Sequence, residues 1–600
     1  MSENSIPLRN QTDKKYMWHI EDLFATDEIW KEHYDKLVKK SSQIENFNES
    51  IVKDGSNLYE CLKFYNELFE EFDRIYVYAY MKFHEDSTNA KYQQLSGMAD
   101  LLSVKLMSNS AFIVPKISKL TAQQINTFIS ECSELKIYSH FLEGILRLKE
   151  HTLSEAEEKI LAASEEIASS AHTIFTMINE ADMTFPDVVD SSSKTYGLSH
   201  GKYVSYLESN DRVLRKSAFD ALYSSYLKQS NTLAATYNAS VKKDLFYANI
   251  RHYYSALEYA LEDDNIPAAV YDNLIDAVHE SLPLMHRYIA LRKKLLGVDE
   301  LHMYDLYAPL VSDLNWKITF EEAKTTVKKA LAIMGSDYTD ALQKGFDGGW
   351  IDVYENKGKR SGAYSWGAYG GHPYVLLNYN DTVNNMFTVA HEMGHALHSY
   401  FTWKTQPFVY SGHKIFVAEV ASTCNEALLM EYLLKTEPDE KKQLYLINYF
   451  MEQFRGTLFR QTMFAEFEKA VHDMSASGIT LTCDNLSKVY HNLNELYFGK
   501  DIVIDDCIDI EWARIPHFYN AFYVYQYATG YSAAISLSRG ILNGGQPAID
   551  RYLDFLGKGS AEYSIDLLKG AGIDMTTQKP INDAMRVFKG LLDKMEMLIK

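Results

Sequence analysis

Cysteine is scarce, with five residues scattered at Cys61, Cys132, Cys424, Cys483 and Cys507 along 600 positions. An odd, widely spaced set without a C-x-x-C pair excludes a disulfide framework and predicts a reducing, cytoplasmic setting. Proline is limited to 12 residues, so few positions interrupt helices. No run of 18 apolar residues occurs, which excludes a membrane-spanning helix. The first residues, MSENSIPLRNQTDKK, lack an apolar stretch of the kind an export signal needs. Positive charge is in deficit, 60 Lys+Arg against 81 Asp+Glu, a formal net charge of −21 that argues against a nucleic-acid partner.

What is present is an apolar, tyrosine-rich chain: 46% hydrophobic residues and 43 tyrosines. At this length a large core forms without covalent staples. Long stretches of 3.6-residue periodicity predict a mostly α-helical fold. Leu58, Leu62, Tyr65, Phe69, Phe72, Tyr76 and Tyr80 recur at three- and four-residue steps, the pattern of a helix face packed into a core. The rhythm breaks at Pro186–Lys202, where serines and glycines mark turns with short strands between. That break divides an N-terminal helical region, 1–185, from a region 186–600 whose core lies at about 346–535. A second break, Phe346 to Asn380, is glycine-rich and aromatic with β-formers at Tyr374 to Leu377, and predicts a small sheet. Helical periodicity returns after Asp381, a candidate N-cap, with an apolar stripe of Val383, Phe387, Ala390, Gly394, Leu397 and Phe401.

On this last helix lies His391-Glu392-Met393-Gly394-His395, an H-E-x-x-H pattern. Two histidines four residues apart stand one turn apart on nearly the same side, so both imidazoles reach one Zn²⁺. Glu392, about 100° round the helix, flanks the ion as a general base. With 19 histidines, such a pattern arises by chance in about one chain of this size in twenty. Its position on an amphipathic helix directly after a glycine-rich strand segment favours the metal site.

A third ligand is required. The metzincin extension would need Gly at 398 and His at 401, and these are His398 and Phe401. Downstream, IFVAEVASTCNEALLMEYLL reads as a second amphipathic helix in which Glu419 stands among Phe416, Val417, Ala418, Val420 and Ala421. A lone carboxylate there needs a partner, and a Zn²⁺ ion is one. Glu426, on the same face, is placed to hydrogen-bond a ligating histidine. His413, in a loop six residues earlier, is the rival third ligand, with a substrate contact as its other role. Further on, WARIPHFYNAFYVYQYATGY places Tyr519, Tyr523 and Tyr527 at i, i+4 and i+8, with His517 after Pro516. An aromatic core stripe is the plain reading, but their polar tips are also the donors a tetrahedral oxyanion needs.

Taken together, HEMGHALH, FVAEVAS, KRSGAYS…HPYVLLNY and IPHFYNAFYVYQYATG resemble the M3 family of zinc metallopeptidases, most of all its oligoendopeptidase F group. The likeness extends from about residue 16 to about residue 585, through YMWHIEDLFATDEIW and LRKKLLGVDELHMYDLYAPL. It implies a mostly helical, elongated, two-lobed zincin-type fold with a deep central channel and a small sheet beside the zinc helix. It implies one Zn²⁺ per chain held by His391, His395 and Glu419, with Glu392 as general base. His517 and one of Tyr519, Tyr523 and Tyr527 would stabilise the oxyanion. Gly362, Ala363 and Tyr364 would form a strand pairing with the substrate backbone, and His398 and His413 would also meet the substrate. The expected activity is endopeptidase cleavage of short unstructured peptides, by a monomer or weak homo-oligomer without nucleic-acid or membrane partners. A zinc exopeptidase on the same site is the nearer alternative and requires a cation for the substrate's terminal carboxylate. An inactive helical peptide-binding protein would lack a ligand or the base, and every such position is filled.

Overall fold

The computed structural model describes residues 6–599 apart from 312, 313 and 315. It is mostly helical, and none of its described helices is long and apolar enough to cross a membrane. The chain divides into two compact units, each assembled from separated stretches: residues 1–150, 316–432 and 537–572 form one, and 151–315, 433–536 and 573–600 the other.

In the first unit, helix α1 (Gly55–Glu85) begins where the Asp54 carboxylate accepts from the Asn57 N–H at 2.8 Å. Leu58, Cys61, Leu62, Leu68, Ile75 and Tyr78 bury one face among Trp18, Trp30 and the sheet residues Tyr374 and Leu376. The stripe expected as core is only partly so. Leu58 and Leu62 are buried, whereas Tyr65, Phe69, Phe72, Tyr76 and Tyr80 are half-buried and pack ring against ring.

The glycine-rich break forms a sheet of three strands, β3 (Ile351–Asp352), β4 (Tyr364–Gly367) and β5 (Pro373–Leu376), in the order β3-β5-β4. β3 runs parallel to β5, and β4 antiparallel to it with Tyr364 opposite Leu376. The expected strand Gly362–Tyr364 is thus shifted. Gly362 has φ +85°, a turn conformation, and the strand starts at Tyr364.

Helix α2 (Val383–Thr405) follows. Its cap is Thr382, whose hydroxyl accepts from Asn385 N–H at 3.1 Å; Asp381, the expected cap, instead takes a left-handed turn at φ +54°. A short helix, Ile415–Ala418, leads through Glu419 into α3 (Val420–Thr436).

The second unit contains the short strands expected within 186–202: β1 (Val188–Val189) pairs antiparallel with β2 (Thr195–Tyr196). Asp211 caps the helix Arg212–Leu227 through the N–H groups of Val213 and Leu214, and Pro267 precedes the helix Ala268–Leu296.

Candidate metal centre

The centre is assembled where α2 and α3 meet backbone to backbone. A Cβ on Gly394 would stand 2.6 Å from Ser422 Cα and 2.8 Å from Ala421 O, so only glycine lets the helices approach this closely. Buried Asn425 on α3 donates to Ala390 O on α2 at 3.1 Å and accepts from Tyr338 OH at 2.7 Å. The sequence offered no signal for Asn425. Gly394 stood in the apolar stripe, but its role as a spacer depends on a residue 28 positions away. Gly394→Ala is expected to lower stability by about 1–3 kcal/mol. Denaturant unfolding checks this, and an unchanged midpoint would remove the close-approach argument.

This junction brings His391, His395 and Glu419 into one group. His391 Nε2 and His395 Nε2 are 3.2 Å apart, and each is 3.3 Å from Glu419 Oε2. The three donors form a near-equilateral triangle. A tetrahedral ion at about 2.0–2.1 Å from each donor sets them about 3.3–3.4 Å apart, so the donor set fits zinc in type and in spacing. The tautomer fits as well. Glu426 Oε1 accepts from His391 Nδ1 at 2.6 Å, which leaves Nε2, a vertex of the triangle, with the lone pair a metal ligand needs.

Glu419 is not buried, as the sequence suggested, but 42% exposed at the cavity. Burial opposes its charge, yet the two adjacent imidazoles outweigh that and hold its carboxyl well below the usual range. Ser422 Oγ donates to its Oε2 at 3.0 Å. Glu392 is 6% exposed, and its Oε2 is buried with no hydrogen-bond partner among the described residues. Burial raises its carboxyl, against the lowering influence of the two histidines.

These residues line a cavity of about 380 Å³ together with Ala363, Tyr364, Ser365, His398, Ser399, His413 and Ala418; Gly362 is not among its walls. Thr402 Oγ1 donates to Leu556 O at 2.8 Å, so the 3.0 Å contact with His413 must be a donation from His413 Nε2. His413 also stacks on buried His398 with ring centroids 3.7 Å apart. Burial first, and the neighbouring His395 second, push His413 down to about 4. His413 is therefore committed to Thr402, and the carboxylate completes the triangle.

The tyrosine segment departs from the expected helix face. Pro516–Tyr519 is a single 3-10 turn, Phe522 has φ +56°, and helix α4 (Tyr525–Gly544) starts only afterwards. Tyr519 is buried against Phe175, centroids 4.4 Å apart, away from the rest. His517, Tyr523 and Tyr527 instead cluster, with centroids 5.5–5.9 Å apart and Tyr527 OH 3.3 Å from His517 Nε2. Buried Glu468, which sequence reasoning did not single out, accepts from Phe522 N–H at 3.0 Å and holds the turn.

A family model described as Peptidase family M3 matches residues 205–587, and one described as Oligopeptidase F matches residues 116–185. Oligopeptidase PepF of Bacillus subtilis is 48% identical over 99% of this chain and 89% of its own length. Group B oligopeptidase PepB of Streptococcus agalactiae is 41% identical over 100% and 99%. Among solved structures, a putative peptidase from Chlamydophila abortus superposes with a TM-score of 0.94 at 35% identity, covering 99% of this chain and 100% of that one. Oligoendopeptidase-F from Enterococcus faecium superposes with a TM-score of 0.74 at 37% identity, covering 96% and 99%. A helix-borne His-Glu-x-x-His, a carboxylate from the turn that opens α3 and a matching sequence along nearly the whole length lead to one conclusion: the chain belongs to peptidase family M3.

Proposed function

We propose that this chain is a zinc-dependent endopeptidase of short, unstructured peptides. The observation that carries the reading is the 3.2–3.3 Å donor triangle of His391, His395 and Glu419, with the base Glu392 in the same cavity. Bound by these three residues, one Zn²⁺ per chain supplies Lewis acidity, lowering the pKa of a water to about 7 and polarising a carbonyl. Glu392 takes the proton of the attacking water with its unpaired Oε2 and passes it to the leaving amine. Glu426 holds the His391 ring in the ligating tautomer. His517, with Tyr523 or Tyr527, retains the oxyanion-donor role assigned from the sequence, and Tyr519 is set aside because its ring is buried elsewhere.

Among the described residues no strand pairs with the β4 edge facing away from β5, and Ala363, Tyr364 and Ser365 reach the cavity wall. A peptide aligned there as an added strand presents its backbone to the site. Only an extended chain does this. Hence an unstructured peptide is expected to be cleaved, and the same segment inside a stably folded protein to be spared. The test is mass spectrometry of products from a peptide blocked at both ends and from the folded protein that contains it. Internal cleavage of the blocked peptide alone supports the reading. Cleavage only when the C-terminus is free would establish an exopeptidase, and equal rates on the two substrates would remove strand addition.

A further inference from the structure

Helix α1 lies alongside β4. His84 Nδ1 is 2.7 Å from Tyr364 OH, the rings of Tyr76 and Tyr80 are 6.0 and 6.3 Å from that of Trp366, and Asp73 accepts from Tyr369 N–H at 3.0 Å. His84 meets the first residue of β4, Tyr364, and Asp73, about 16 Å back along the helix, meets Tyr369, two residues beyond the strand's end at Gly367. Helix and strand therefore run antiparallel. Phe72, Tyr76 and Tyr80 continue this contact as a row of half-buried rings, 5.4 and 4.5 Å between successive centroids. Tyr80 OH donates to Asp100 at 2.8 Å, which fixes its ring.

The row was expected to be core, and its half-exposure needs a reason. Residues four apart on a helix rise about 6 Å, and alternate side chains of a strand are about 6.7 Å apart. A peptide added to the free edge of β4 would thus meet one ring per alternate side chain. Tyr364 and Trp366, on the α1 side of β4, make the row continuous with the wall of the cavity that holds His391, His395 and Glu419.

We propose that Phe72, Tyr76, Tyr80 and Trp366 form a specificity wall that selects peptides carrying aromatic or long aliphatic side chains at alternate positions. This rests on the endopeptidase and strand-addition reading above. Rings already ordered by the helix accept such side chains with little further loss of freedom.

The test uses two end-blocked decapeptides that differ only in having phenylalanine or alanine at alternate positions, with kcat and KM measured on the zinc-loaded enzyme. The parent is expected to favour the phenylalanine peptide in kcat/KM by tenfold or more, mainly through KM, as expected for roughly one buried aromatic side chain. Tyr76→Ala and Phe72→Ala are expected to reduce that ratio severalfold. Tyr76→Leu, which keeps an apolar surface and guards against a folding defect, is expected to retain the preference for the phenylalanine peptide. An unchanged ratio in the alanine variants would overturn the wall while leaving the peptidase reading intact. A parent that cleaves neither peptide overturns both.

Discussion

Glu392→Gln is expected to bind zinc as the parent does and to lose about a hundredfold or more in kcat. The amide keeps the shape of a side chain that is 6% exposed and packed at the cavity wall, so the fold and the donor triangle persist. What is lost is proton acceptance. Oε2 of Glu392 is buried at the cavity with no hydrogen-bond partner among the described residues. The amide nitrogen that replaces either oxygen carries hydrogens and takes none. Turnover within a few-fold of the parent, with metal content equal, would show that another group removes the proton.

Glu419→Ala is expected to lower zinc affinity at least tenfold, and activity with it. The substitution leaves two imidazole nitrogens 3.2 Å apart and removes the single anionic donor of the triangle. Loss of a residue that only supports a ligand costs roughly 10–100-fold in affinity, and loss of a ligand is expected to cost no less. Equilibrium dialysis followed by elemental analysis gives the occupancy directly. The parent treated with a chelator should lose activity and regain it with added Zn²⁺. Stoichiometric zinc retained by Glu419→Ala after dialysis would transfer the third position to His413 or another donor. The structure argues against His413, whose Nε2–H is committed to Thr402.

Much of the centre was legible in the sequence because its parts are local. His391, Glu392 and His395 share one turn of one helix, so 3.6 residues per turn sets their relation before any packing is known. Glu426 lies on the next helix at a spacing that places it on the same face as Glu419, and it does meet His391 Nδ1. The glycine-rich break before the helix identified a sheet for a similar reason, since turn residues and β-formers act over a few positions. Short-range rules also have an error of about one or two residues. The cap moved from Asp381 to Thr382, and the strand start moved from Gly362 to Tyr364.

The sequence by itself determined the helical class and the grouping of His391, Glu392 and His395 on one helix turn, because these follow from residue type and from spacing within single elements. The tertiary structure alone decided what depends on partners far along the chain. It decided that Gly394 must be glycine, because Ser422 lies against it, and that Asn425 ties one helix to the other. It also resolved the apparent i, i+4, i+8 tyrosine face: Phe522 turns left-handed, its N–H held by Glu468 from 54 residues away, so Tyr519 enters the core and leaves Tyr523 and Tyr527 with His517. The aromatic stripe of α1 follows the same logic. Periodicity shows that the rings share a face, but whether that face is covered depends on what packs against it, and here β4 covers only one end of the row.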